Sequence, residues 1–210
     1  MINLGLKSRV FSNKSLIYSH IYIYRLVLNI LFLGKYRQRF NAIISMMNPE
    51  KEKKVVELCF GDIYVAKWCK ANGIDYTGFD INKHFINNAK RQGYSVEFMN
   101  LRNASLFPYS DVVVMMGSLY HFHDILNELL NKIMESSPRL IISEPVSNLA
   151  QLKGILGYIA RKTTRVGNND EAFRFNENSL CEVLEKISNG RWGISSTLLG
   201  KEMIVDIRRN

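Results

Sequence analysis

The chain has few cysteines, no acid before Glu50, and no long apolar run without a polar break. Cys59, Cys69 and Cys181 are odd in number and lack C-x-x-C spacing. That excludes a disulfide framework and a paired-cysteine zinc site, and favours a reducing, cytoplasmic setting. Internal repeats and low-complexity tracts are also missing. The 210 residues, 47% hydrophobic and 22% charged, fit one globular domain with additions and exclude disorder over most of the length.

The lack of early acid concentrates the charge. Lys7, Arg9, Lys14, Arg25, Lys35, Arg37 and Arg39 stand unopposed in residues 1–49, so most of the formal net charge of +9 lies there. Such a segment attracts phosphate, anionic lipid or nucleic acid, or it is a solvated basic end. Within it, Leu16 to Leu33 is apolar except for Ser19, His20, Arg25 and Asn29. On a helix, Tyr18, Tyr22, Arg25 and Asn29 share one stripe, and the rest of the circumference is apolar. A charge near mid-bilayer argues against a spanning helix. Two roles remain: a cap packed on the domain, or a helix lying on a membrane surface through residues 14–39. No small-residue cleavage site follows, which disfavours a secretory signal, although an acid-poor presequence stays open. Residues 1–49 therefore read as an extension, with Lys35 to Met47 a second helix, and residues 50–210 as the domain.

From Lys54 short strands and helices alternate. Strands are expected at Val55–Cys59, Tyr76–Asp80, Ser95–Met99, Asp111–Met116 and Leu140–Ser143, the fourth apolar throughout and so central. Helices are expected at Ile63–Ala71, Lys83–Arg91 and His123–Glu135. Glu144-Pro145 should end the fifth strand, because proline donates no ladder hydrogen bond. Residues 145–178 then form an excursion, with a helix over Leu149–Arg161 and a polar stretch at Gly167–Asp170. A helix at Ser179–Lys186 follows. Trp192–Leu199 and Met203–Ile207, joined at Gly200-Lys201, require an antiparallel hairpin. This alternation implies an α/β fold with a mostly parallel sheet covered on both faces.

The organising stretch is Val55-Val56-Glu57-Leu58-Cys59-Phe60-Gly61-Asp62, followed by Tyr76-Thr77-Gly78-Phe79-Asp80. An apolar strand, a tight turn opening a helix, and an acid ending the next strand form the grammar of a nucleotide site. Only Gly61 survives of a G-x-G-x-x-G fingerprint.

Together these features resemble class I S-adenosylmethionine-dependent methyltransferases over residues 50 to 208. Glu57-Leu58-Cys59-Phe60-Gly61-Asp62-Ile63 looks like that family's E-x-G-x-G-x-G loop, and Tyr76-Thr77-Gly78-Phe79-Asp80-Ile81 like its second motif. The run from Asp111 through Gly117-Ser118-Leu119-Tyr120-His121 resembles the fourth-strand motif, and Leu140-Ile141-Ile142-Ser143-Glu144-Pro145 the fifth. The resemblance implies a Rossmann-like sheet of seven strands with the last pair antiparallel, and S-adenosyl-L-methionine as cofactor. Glu57 would help hold the methionine ammonium end, and Asp80 would accept both ribose hydroxyls. Ile81 would lie against the adenine, with Asn100 or Asn103 taking its amino group. Cys59, Gly61, Leu101, Met116 and Gly117 would line the site.

Two of the family's glycines are replaced, by Cys59 and Ile63. An isoleucine strongly disfavours positive φ, so Ile63 is expected in ordinary helical geometry with Asp62 as N-cap, the alternative being a loop that has lost its affinity for the cofactor. On the acceptor side, His121 is the base candidate because its pKa lies near working pH, against the alternative of a histidine bonded to a helix end. His121 and His123 lack a third metal ligand. Glu144 reads as catalytic or as a helix-capping carboxylate. Tyr120, His123 and Arg174 are the substrate candidates, Arg174 because its planar fork suits an acidic acceptor. The expected partner is a small or lipid-like molecule. A nucleic acid acceptor tracked by the basic segment is the alternative, although no Asn/Asp-Pro-Pro-aromatic motif follows the fourth strand. A binding module without catalysis is a further one.

Overall fold

The structure is a computed structural model describing residues 21–31, 34–146 and 173–210. Seven strands form one sheet: β1 (Lys54–Leu58), β2 (Asp75–Asp80), β3 (Val96–Phe98), β4 (Val112–Met116), β5 (Arg139–Pro145), β6 (Trp192–Leu199) and β7 (Glu202–Arg209). Their order is β3-β2-β1-β4-β5-β7-β6. The pairings from β3 through β5 are parallel, while β7 runs antiparallel to both β5 and β6. This is the seven-stranded mixed sheet expected from the sequence.

The helices are α1 (Ile21–Leu31), α2 (Tyr36–Met46), α3 (Tyr64–Ala71), α4 (Lys83–Arg91), α5 (Leu126–Ser136) and α6 (Glu177–Ser188). Alternate residues of the central strands point to opposite faces. Val55, Val112, Val114, Ile141 and Ile204 join α2, α3 and α4 in one half of the core. Val56, Leu58, Val113, Met115, Leu140 and Ile142 join α5 and α6 in the other. All four β4 residues from Val112 to Met115 are fully buried. Burying each such side chain stabilises the fold by roughly 1.5–3 kcal/mol, which accounts for β4 at the sheet's centre.

Three boundaries differ from expectation. β5 continues through Pro145, which pairs with Glu202. The Val146 amide donates to the Lys201 carbonyl, so the Pro145 nitrogen faces the other edge, beyond the end of β4, where no donor is needed. The helix expected from His123 begins at Leu126. A 3-10 turn at Leu119–Phe122 precedes it, leaving His123 in the connection. Ile63, not Asp62, occupies the N-cap position of α3, because the Asp62 carboxylate is engaged elsewhere. The helix expected over Leu149–Arg161 and the polar stretch at 167–170 lie outside the described residues. None of the described helices is long and apolar enough to cross a membrane.

Helix α1 packs on α2 and α4 at the loop after β1, at the carboxyl ends of the strands. Its placement departs from the simple amphipathic reading. Arg25 turns inward, while the apolar Ile23, Leu26 and Ile30 are exposed. The charge goes inward because a buried acid waits for it.

Candidate functional site

The carboxyl ends of β1, β2 and β4 bring the sequence-predicted donor residues together. After β1, Cys59 adopts φ +54 and Gly61 φ +53. Cys59 thus takes the left-handed conformation a glycine would take, at a cost of roughly 1–2 kcal/mol. Its thiol lies against the buried Ser118 hydroxyl, and burial pushes its pKa up. Ile63, the other replaced glycine, has φ −95 and is buried among α2, α3 and α4. An isoleucine fits there without strain, so the loop's strained position is Cys59.

At the end of β2, the Gly61 amide donates to one Asp80 oxygen at 3.1 Å and the Asn82 amide to the other at 2.7 Å. Burial pushes the Asp80 carboxyl up to about 6 against these stabilising donors. The Ile81 amide also favours the charged form, and a carboxylate's roughly four lone-pair sites leave room for a further donor. Ile81 beside it is 53% exposed, a free apolar face. Asn100 ends the next connection, and its side-chain oxygen accepts from the Arg102 amide at 3.1 Å. Leu101 is buried and Met116 half-buried.

Glu57 is fully buried one residue before the tip of β1. The Tyr76 hydroxyl donates to one of its oxygens at 2.7 Å. Its other oxygen has no hydrogen bond among the described residues. Burial holds the Glu57 carboxyl well above the usual range.

A clamp not expected from the sequence closes this loop from outside. Arg25 of α1 donates from Nε and Nη2 to the two oxygens of Asp62, at 2.8 and 2.6 Å. The Tyr36 hydroxyl adds a bond at 3.3 Å. The Tyr24 hydroxyl stands 2.9 Å from where a Gly61 Cβ would be, and the Tyr24 ring packs on Phe85 of α4 at 4.9 Å. The readable signal was a lone arginine inside an apolar helix, with Asp62 directly after the turn.

After β4, Gly117 has φ +60, and a Cβ there would lie 2.8 Å from Arg39 Nη2. Arg39 reaches from α2 to Glu202, Nε to Oε1 2.6 Å, and the Ser143 hydroxyl donates to that carboxylate's second oxygen at 2.6 Å. Beyond Gly117, Glu144 accepts the amides of Leu119 at 3.0 Å and Tyr120 at 3.3 Å. It therefore caps the 3-10 turn, and burial pushes its carboxyl up to about 8.

The family model for a methyltransferase domain matches residues 19–187 of this chain. The chain belongs to that family. It is an S-adenosylmethionine-dependent methyltransferase. Among solved structures, it is similar to the methyltransferase domain of bacterial CtHen1, at 13% identity and a TM-score of 0.63, covering 82% of this chain and 98% of that one. An S-adenosylmethionine-dependent methyltransferase from Mesorhizobium loti gives 16% identity, TM-score 0.62, and coverage of 81% and 97%. Magnesium protoporphyrin IX methyltransferase from Synechocystis PCC 6803 gives 14%, 0.59, and 89% and 87%. At these identities the likeness speaks to the fold. No curated protein matches the sequence.

The residues of this methyltransferase fit the donor. Asp80 offers paired acceptors for a diol, and Ile81 an exposed apolar surface. Glu57 has an orphaned buried oxygen beneath the turn. Asp80, with its carboxyl at about 6, is charged at neutral pH and suits a cationic sulfonium cofactor, while the buried Glu57 offers a hydrogen-bonding oxygen without a partner among the described residues.

The methyltransferase's acceptor-side candidates also converge. The Arg174 guanidinium lies 3.6 Å over the Tyr120 ring, and the His121 ring packs on Tyr120 at 3.9 Å. His123 stacks on Phe173 at 4.2 Å, with Nδ1 3.2 Å from the Tyr120 carbonyl. Burial, then Arg174 and Arg102, push the His121 pKa down to about 4. Arg102 was not singled out from sequence. It donates to the His121 carbonyl at 2.6 Å and pairs with Asp124 through both Nη groups.

Proposed function

We propose that the enzyme methylates a small or lipid-like acceptor that carries an acidic group, in a site between Gly117 and the Tyr120–His121–Arg174 cluster. The observation that carries this reading is the Arg174 guanidinium 3.6 Å from the Tyr120 ring centroid, with Nη1 donating to the Phe173 carbonyl at 2.7 Å and the remaining N–H groups left to donate to a carboxylate or phosphate. The small-molecule substrate named for the similar magnesium protoporphyrin IX methyltransferase is consistent with it. A lipid-like acceptor would bring the chain to a membrane surface through residues 14–39.

The donor supplies a methyl group on a cationic sulfur that is a good leaving group. The chain's residues hold and align. Asp80 accepts the ribose hydroxyls, Ile81 lies on the adenine, Asn100 or Asn103 accepts from the adenine amino group, and Glu57 receives the ammonium end through the loop. Cys59, Leu101, Met116 and Gly117 complete the walls. Alignment supplies much of the rate in such a displacement. His121 is neutral at working pH, so a ring nitrogen accepts a hydrogen bond from the acceptor's nucleophilic group and takes its proton only as the new bond forms. Glu144, through the amides of Leu119 and Tyr120, sets where that ring stands, which makes it a positioning residue.

The test is transfer of an isotope-labelled methyl group to water-soluble and lipid fractions of a cell extract. Labelled product should vanish with Asp80→Ala and fall about 10²-fold or more with His121→Ala. Product that persists with Arg174→Ala at unchanged KM would remove the acidic-group assignment.

A further inference from the structure

We propose that the helical layer α1–α4 is a docking surface for an anionic phospholipid membrane, with α1 lying in the lipid interface. Whichever acceptor the site methylates, this surface stands on its own observations. The first is a sidedness of charge. The four helices contain no aspartate or glutamate at all. Arg25 and Arg39 are consumed by Asp62 and Glu202. Arg37, Lys67, Lys70, Lys83, Lys90 and Arg91 remain exposed, and none forms an ion pair among the described residues. The opposite layer is acidic: α5 and α6 expose Glu128, Glu135, Glu177, Glu182 and Glu185, against Lys132 and Lys186. An anionic surface thus attracts one face and repels the other.

The second observation is apolar. Tyr22, Ile23, Leu26 and Ile30 are 78%, 42%, 61% and 41% exposed. Their spacing puts them on one stripe of α1. A basic surface carrying such a stripe matches an interfacial helix, whose apolar side chains enter the headgroup boundary while cations meet anionic lipids. A nucleic acid backbone would use the cations and leave the stripe in water, so lipid is the better fit. The inner face of α1 is clamped to the donor loop by Arg25 and Asp62. Docking would therefore set the donor site close to the membrane plane.

The experiment is vesicle flotation of the full chain with phosphatidylcholine alone and with about one-third phosphatidylglycerol, the latter supplying the anionic surface. Binding is expected only to the anionic vesicles, weakening steeply as salt shortens the screening length. Leu26→Glu should weaken it tenfold or more. Lys67→Glu with Lys70→Glu should weaken it about 25-fold or more, since each surface cation is worth about fivefold. Calorimetry with S-adenosylmethionine, unchanged in both variants, shows that they are folded. No flotation, equal flotation with neutral vesicles, or indifference to Leu26→Glu would overturn the proposal. So would capture of single-stranded RNA in place of vesicles, or a dimer that Leu26→Glu dissolves and that ignores lipid. A water-soluble acceptor would leave this binding intact.

Discussion

Replacing Arg25 by alanine tests whether α1 is held to the donor loop by one ion pair. The Asp62 carboxylate is wholly shielded, whereas Arg25 is 29% exposed. Removing the arginine leaves a buried carboxylate with two donors, the Ile63 amide at 2.7 Å and the Tyr36 hydroxyl at 3.3 Å. Breaking a fully buried pair costs about 3–5 kcal/mol, and an exposed pair under about 1 kcal/mol. With one member buried and the other partly wet, about 2 kcal/mol is expected. For a domain of this length that lowers Tm by roughly 4–8 °C. The origin is checked by a double-mutant cycle measured by urea unfolding. In an Asp62→Asn background no charge is stranded, so Arg25→Ala should cost under about 1 kcal/mol, leaving a coupling of at least about 1 kcal/mol. Arg25→Lys, which keeps charge but loses the two-pronged geometry, should fall between. A loss equal in both backgrounds, or a Tm shift under about 1 °C, would refute the reasoning.

Asp80 should give a signature of opposite sign to an ordinary ion-paired acid. Its folded carboxyl sits at about 6, above the ordinary 3.8, so the native protein binds that proton more tightly than the unfolded chain. Between about pH 4 and 6 the donor-free protein should lose stability as pH rises, by an amount on the order of 2–3 kcal/mol. Asp80→Asn should flatten that slope in thermal scans while weakening S-adenosylmethionine at least about tenfold in calorimetry. Wild-type affinity should fall below about pH 6, as the carboxyl takes a proton. Gly117→Ala combines a positive φ with a collision against Arg39, held in place by Glu202. It should cost about 2 kcal/mol or more in urea unfolding.

The sheet was legible because its signals are local and periodic. β4 reads as an unbroken apolar run, β6 and β7 as a hairpin about Gly200-Lys201, and the acids at 57 and 80 mark strand ends. What sequence could not supply was pairing across distance. Arg25 and Asp62 are 37 positions apart, and nothing in the helix pattern says that its charge faces the protein. Arg39 and Glu202 are similarly remote. Cys59 was a second limit. Side-chain preference placed the difficulty at Ile63, whereas the backbone put left-handed geometry at Cys59 and let Ile63 start a helix. Pro145 was misread because a strand's end depends on which edge is paired. The division between a leading segment and a domain at residue 49 stands as a proposal.

The position of β7 carries a consequence for how the protein is made. It is the last strand in chain order, yet it sits inside the sheet, between β5 and β6. As the polypeptide leaves the ribosome, β5 has an unsatisfied edge until β7 emerges. Glu202, at the first residue of β7, also completes the buried contact that awaits Arg39. The sheet therefore closes late and from within, and losing β7 would remove an interior strand, not trim a border.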